Sequence, residues 1–493
     1  MAILKTMAKK LAFVVMGLAL VAAGLFAAGF RLALDGSGTR PRFLTQQDDD
    51  ALEADRARQR ETVAVGGGVA QPINTQSTAA PIAPIAPAAP IAAIEPGSDW
   101  TDFRGPHRDG RYVATPIRTA WPREGLPRLW QQPVGGGYAS FVVADGRAFT
   151  IEQRRDQEVV AAYDTRSGRE LWTNGWKASF EESMGGDGPR ATPTYHEGRV
   201  YALGAEGELR VLDAAAGTLV WRRNILVENQ ARNLTWGMSA SPLIVDDKAI
   251  VLPGGTRGRS VVAYQKATGE VVWRSQDDEQ GYTSPMLVTL GGVRQILVVS
   301  ASRAMGLTVD GGQVLWQHPW VTFNGINVSQ PIVFQQNGKD RIFLSASYGK
   351  GAVVIELDRA GDRLVTKTVW ENQRMKNKFS SSVLHQGHVY GLDESILACL
   401  DANTGEQRWK GGRYGYGQIL LAGDHVIVLT EDGEVVLVRA TPDRHEEIAR
   451  FEAIRGKTWN HPVIAGGRLL VRNGEEMAAF DIRNEPPATS GWR

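Results

Sequence analysis

Between residues 127 and 484 short apolar runs alternate with Gly-, Asp- and Asn-bearing turns, and the runs come in recurring sets. From Arg199 to Trp221 one set reads as a β-branched run, a turn at Glu206-Gly207, a second run, a turn at Ala216-Gly217 and a third run ending in Trp. An earlier run led by Ala191-Thr192-Pro193 adds an innermost strand, so each unit is expected to be a four-stranded antiparallel sheet. Four units share the spacing D/Q-x-x-x-G-x-x-x-W without gaps: Asp164, Gly168, Trp172; Asp213, Gly217, Trp221; Gln265, Gly269, Trp273; and Asp401, Gly405, Trp409. Across the whole series, Trp130, Trp172, Trp221, Trp273, Trp316, Trp370, Trp409 and then Phe451 are separated by 42, 49, 52, 43, 54, 39 and 42 residues. That period suits the blade of a β-propeller and is too long for most helical solenoids.

The Gly of each unit permits the positive φ of a tight turn, and the Asp before it can bond the turn amides, which fixes the register of the outer two strands. The Trp is then expected to lie between neighbouring blades, over the turn of the next unit, with its indole N–H given to an acceptor there. The seven Trp are therefore read as blade-docking residues. Inner strands are expected to start at Ala139, Ala191, Ala240, Thr283, Ser329, Ser380, Gly417 and Asn460, which makes eight blades. The eighth unit runs out near Ile482 after three strands, while an orphan strand around Trp130 precedes the first full unit. The N-terminal strand is expected to complete the last blade and leave no open sheet edge.

Composition adds a compartment to this all-β, eight-bladed picture. Lys5, Lys9 and Lys10 precede an uncharged stretch from Leu11 to Phe30, long enough as a helix to span a bilayer core of about 30 Å. Residues 1–34 are read as an N-terminal transmembrane anchor, or as a cleaved signal segment if Ala27-Ala28-Gly29 is processed. The lysines keep that end cytoplasmic, which places the propeller in the periplasm or outside the cell, and secretes it if the segment is removed. Residues 35–98 are charged, then rich in Ala and Pro, and are read as a disordered linker, with a short amphipathic helix around 47–61 as a local alternative. Residues 99–126 form a cap segment, 127–484 the propeller and 485–493 a tail. A net charge of +1 with scattered basic residues argues against nucleic acid, and the lone Cys399, in an apolar run, reads as a buried structural thiol.

"DWTDFRGPHRDGRY", from Asp99 to Tyr112, resembles a leading motif of many bacterial repeat proteins of unassigned function, W-x-x-F-R-G-P-x-x-D-G. Residues 99 to 484 as a whole resemble the PQQ-like β-propeller superfamily, which includes quinoprotein dehydrogenases and the propeller lipoprotein of the outer-membrane β-barrel assembly machinery. The second of these implies a scaffold in envelope protein assembly, although this chain has an apparent inner-membrane anchor and a long tether in place of a lipidated cysteine. The first implies pyrroloquinoline quinone with calcium, and a carboxylate base that takes a proton from an alcohol as hydride passes to the quinone.

The loops that enter the inner strands should crowd one mouth of the central channel, and they are rich in Gly, Asn, Arg, Tyr and Trp. Arg190, Trp236, Ser239, Tyr282, Asn327, Lys378, Tyr416, Trp459, Asn460 and His461 are the candidates for a ligand or partner mouth. No catalytic residue and no metal ligand stands out. The acidic loops Glu181-Glu182 with Asp187 and Asp277-Asp278-Glu279 lack an evident partner, there is no cysteine pair, and His385 and His388 flank a hairpin turn. These signs lean away from an enzyme and predict no cofactor. They favour a membrane-tethered extracytoplasmic module that binds envelope proteins or a ligand, with a quinone-dependent alcohol dehydrogenase or a small-molecule sensor as alternatives.

Overall fold

The computed structural model describes residues 2–28, 30–34, 41–45, 49–66, 99–361 and 363–484, with side chains for 13–28, 50–61, 99–361 and 363–484. Eight sheets follow one another around a ring: blade 1 at 142–177, blade 2 at 194–224, blade 3 at 243–275, blade 4 at 286–319, blade 5 at 332–372, blade 6 at 383–413, blade 7 at 418–452, and blade 8 at 463–481. Each inner strand starts one to three residues after its expected position, because the small residues ahead of it bond side chains of the next blade before strand pairing begins. Ser140 N–H donates to Thr192 Oγ1 and Ser241 N–H to Ser284 Oγ, both at 2.9 Å. Blade 8 takes its outermost strand from the other end of the chain, Arg128–Pro133 pairing antiparallel with Glu476–Asp481. The ring therefore closes as the orphan strand around Trp130 suggested.

Blades dock through the repeated aromatic. Trp172 lies on Gly217 and donates its indole N–H to Ala214 O at 3.1 Å, while Trp221 lies on Gly269 and donates to Lys266 O at 3.0 Å. Trp130, Trp273, Trp370 and Trp409 likewise donate to a carbonyl at the outer turn of the next blade. Trp316 departs from this, giving its N–H to Gln295 Oε1 of its own blade at 2.5 Å. The neighbouring blade 5 has outer strands of ten residues each, so the docking turn is carried away from the ring. Phe451, with no N–H to place, is covered by Gly125 and Trp121 from the segment before the ring. Cys399 is buried in blade 6.

The segment expected as a cap goes further and plugs the channel. Trp100 pairs with Val143 of the inner strand of blade 1, Thr101 O accepts from Tyr195 N of blade 2, and Arg111–Tyr112 adds a parallel strand to blade 7. Arg104 and Arg108 hold the left-handed conformation, φ 64° and 57°, and both are buried. Arg108 donates to Ser241 O at 3.2 Å, to Pro285 O at 2.9 Å, to Pro242 O and to Thr194 Oγ1, and pairs with Asp102 at 2.9 Å. One guanidinium thus ties the inner strands of blades 2, 3 and 4. Arg104 bonds carbonyl oxygens, Ser382 O at 2.8 Å and Asp109 O at 3.3 Å.

A single disordered linker over 35–98 does not describe what is seen. Helix α2, Asp49–Gly66, packs on the outer strand of blade 1, while most of the Ala/Pro-rich stretch lies outside the described residues, as does the 485–493 tail. The helix arginines join carboxylates that Arg154 of the blade already holds: Arg60 pairs with Glu170, and the buried Arg56 bonds Glu53 and faces Glu152. Burial pushes the Glu152 carboxyl up, but Arg154, Arg56, Arg472 and the Gly135 N–H outweigh it and hold its pKa at about 2. At the N-terminus, helix α1 spans Ala2–Ala27, stopping short of the Phe30 expected as the end of the anchor. Among the described residues no helix is long and apolar enough to cross a membrane.

Candidate functional site

The eight loops that lead into the inner strands converge at the end of the channel opposite the outer turns. Seven of them, all but the loop into blade 7, enclose a cavity of about 440 Å³. Seven of the ten candidate residues line it: Arg190, Trp236, Ser239, Tyr282, Lys378, Trp459 and His461. The other three do not. Asn327 and Asn460 are buried behind the lining, where Asn327 Nδ2 donates to Ser300 O at 2.8 Å and Asn460 Nδ2 to Ala139 O at 2.9 Å. They supply the hydrogen bonds that irregular loop backbone cannot make for itself, a structural duty. Tyr416 stands just behind the wall, its ring 5.5 Å from that of Phe379.

Phe103, Tyr138, Met184, Phe323, Tyr348 and Phe379 also line the cavity and were not among the candidates. Tyr138, Met184, Phe323 and Phe379 lie on the same strand-entering loops, so aromatic and Met content there was a usable signal. Tyr348 sits in a turn of blade 5 between strands, and Phe103 reaches in from the plug; neither position marks itself in the sequence. Phe103 forms the bottom of the cavity and meets the His461 ring edge to face at 4.9 Å. Burial, with the Arg104 charge adding to it, pushes the His461 imidazole well below its usual range, so this histidine is neutral.

The walls are two aromatic groups with cations laid on them. On one side Phe379 and Trp459 are 4.5 Å apart and Tyr138 and Trp459 are 5.3 Å apart; on the other Trp236 and Tyr282 are 5.8 Å apart. Lys378 Nζ lies 4.3 Å above the Tyr416 ring and 5.1 Å above Phe379. The Arg190 guanidinium lies 4.6 Å from the Phe180 ring and 5.4 Å from Tyr138, and bonds Gly186 O and Gly188 O. No Asp or Glu is among the lining residues. Carboxylates of the surrounding loops are engaged elsewhere: Glu182 accepts from the Met184 N–H, Asp187 from the Glu182 N–H, and Glu431 from Trp459 Nε1. The second acidic loop is consumed by an ion pair, Asp278 with Arg303 at 2.6 Å.

This donor set does not fit a quinone held with a hard cation. Such a cation takes several carboxylate and carbonyl oxygens, and a catalytic carboxylate must reach the substrate. The cavity wall offers neither, and among the described residues no group of three His, Cys, Asp or Glu is placed to hold a metal ion.

An eight-bladed ring with a plugged channel and PQQ-like repeats defines the class. Within it, a sequence profile for the family described as outer membrane protein assembly factor BamB matches residues 155–411, more than half of the chain. The chain belongs to that family. It is 22% identical over 374 residues to outer membrane protein assembly factor BamB of Burkholderia pseudomallei (strain K96243), covering 66% of this chain and 92% of the relative. It is 30% identical over 190 residues to the quinohemoprotein alcohol dehydrogenase of Comamonas testosteroni, covering 36% of this chain and only 25% of that enzyme. Among solved structures, BamB from Moraxella catarrhalis superposes with a TM-score of 0.52 at 17% identity, over 72% of this chain and 100% of its own. The Comamonas dehydrogenase superposes with 0.58 at 16% identity, over 80% and 82%. At such identities these superpositions show the fold alone.

Proposed function

We propose that this chain is a membrane-tethered, extracytoplasmic propeller that binds partner proteins at the mouth of its channel, as a scaffold in envelope protein assembly. The observation that carries this reading is the mouth itself. An aromatic cavity without a carboxylate in its wall opens between exposed apolar side chains, Met184 at 61% and Phe323 at 63% exposure. Large apolar groups left in water beside a concave site mark a surface that another molecule covers. The relative named as an assembly factor, matched over nearly its whole length, supports the direction, whereas the named dehydrogenase is matched over a quarter of its own. In this reading residues 1–34 anchor the chain in the cytoplasmic membrane and the propeller faces the periplasm.

A photo-crosslinking amino acid placed at Phe323 in the full chain, in intact envelopes, is expected to give a discrete protein adduct. The same probe at Val113, exposed at the plugged end, should give none. Adducts only from Val113, or the same adducts from both positions, would remove the mouth from the argument.

A further inference from the structure

We propose that the mouth recognises a partner segment in which an aromatic side chain stands beside a carboxylate, the ring entering between the two aromatic walls and the carboxylate reaching Lys378. This rests on the reading of the mouth as a protein-binding site and names the chemistry it selects.

The charge argument comes first. Among the described residues no carboxylate oxygen lies within 4 Å of the Lys378 ammonium, whereas the nearby Lys350 has Glu371 at 3.0 Å. Lys378 is held over ring faces, which fix the position of a cation without neutralising it. Arg190 across the cavity spends its hydrogen bonds on carbonyl oxygens and has the carboxylates of Glu182 and Asp187 as charge neighbours, so the unmatched cation is Lys378. The wall thus presents the Lys378 cation with no anion beside it, and a ligand that brings a carboxylate gains an ion pair there where water is partly excluded.

The ring argument is one of shape. Phe379 and Trp459 form one face and Trp236 and Tyr282 the other, with the plug residue Phe103 closing the bottom. Offset and edge-on approach to such walls favours a flat apolar group over an aliphatic one. A third observation chooses a protein segment over a free aromatic acid. The apolar surface does not stop at the cavity but continues onto the rim through Met184, Phe323 and Val321, the last 64% exposed. A small acid fits wholly inside and leaves that rim wet, while a chain that inserts one side chain must lie across it.

The test uses the full chain, with the fluorescence of Trp236 and Trp459 and titration calorimetry as readouts. The probe is the blocked peptide acetyl-Gly-Glu-Phe-Glu-Gly-amide. Controls replace Glu by Lys or Phe by Ala, and 1-naphthylacetate stands for the free acid. Saturable binding of the Glu-Phe-Glu peptide is expected, weakened on the order of tenfold by either control and by Lys378→Glu, and weakened as salt is raised. Equal binding of the Lys peptide overturns the charge argument, and tighter binding of naphthylacetate overturns the protein source. Loss of the Phe323 crosslink in Lys378→Glu without any peptide binding would leave the mouth as the partner site but sink this ligand class. An unchanged crosslink in both Lys378→Glu and Trp459→Ala would sink the mouth itself.

Discussion

The two ends of the central channel use the same kind of residue for opposite purposes. At the plugged end the Arg108 guanidinium is buried and spends its donors on three backbone carbonyls, a hydroxyl and Asp102. At the mouth Lys378 is laid on aromatic faces with no carboxylate beside it. A cation whose partners come from four different parts of the chain holds the ring together, and one whose partners are ring faces remains available to a visitor. The contrast teaches that charge alone does not mark a site; the identity of the groups that satisfy it does.

The largest expected effect comes from breaking the plugged end. Arg108→Met leaves Ser241 O and Pro285 O, buried carbonyls of two blades, without this donor and Asp102 without its cation, and should cost about 3–5 kcal/mol of stability, read as a lower denaturant midpoint. A loss no larger than that of a surface substitution would mean the plug is ornamental.

Glu158 tests the mouth side, because it is a buried carboxyl there that belongs to the fold. It lies between blades 1 and 2, accepts the Ala205 N–H at 2.7 Å, and is pushed by burial from 4.5 up to about 7. The folded state therefore holds this proton when the unfolded chain has released it. Stability contributed by the neutral acid is intact below about 4.5 and is lost as pH rises through about 7. Glu158→Gln should remove that decline, so that its stability relative to wild type improves by about 3 kcal/mol between pH 4 and pH 8. Parallel profiles for the two proteins would refute the assignment.

Gly217 sharpens the comparison at an outer turn on the plugged side. Its φ is +70°, and an added Cβ would lie 2.5 Å from the Trp172 ring. Gly217→Ala should cost about 2 kcal/mol, through the left-handed backbone and the displaced indole together, measured by thermal or denaturant unfolding. Smallest of all, Lys378→Met should shift stability by no more than about 0.5 kcal/mol. A large loss there would make Lys378 structural and erase the contrast between the two ends.

How much of this was legible follows from which residues obey a period. The Trp series carries blade number and ring closure because each Trp must meet a turn about one unit further on, and that need repeats. Trp316 keeps the Gly-to-Trp spacing, with Thr308 where the four signature units have Asp or Gln, yet donates within its own blade, since the length of the blade 5 outer hairpin is not encoded near it. Loop composition found the mouth, but Asn327 and Asn460 turn inward to satisfy backbone, and nothing in a linear pattern gives a loop side chain its direction. The depth of the plug depends on left-handed backbone at Arg104 and Arg108, a conformation that a sequence advertises with Gly and hides with Arg. Helix α2 was half visible as an amphipathic possibility. Its seat on blade 1 was not, because the matching carboxylates Glu152 and Glu170 sit in strands far along the chain.

Ring closure also sets a clock on the birth of the molecule. Trp130 pairs with Ala479, so a strand made early waits for one made near the end before blade 8 exists. Contacts so distant in sequence form slowly, and until they do two sheet edges and the faces of neighbouring blades stand open to any other chain. A shortfall of a single strand at the C-terminal end would leave the molecule without a closed ring at all.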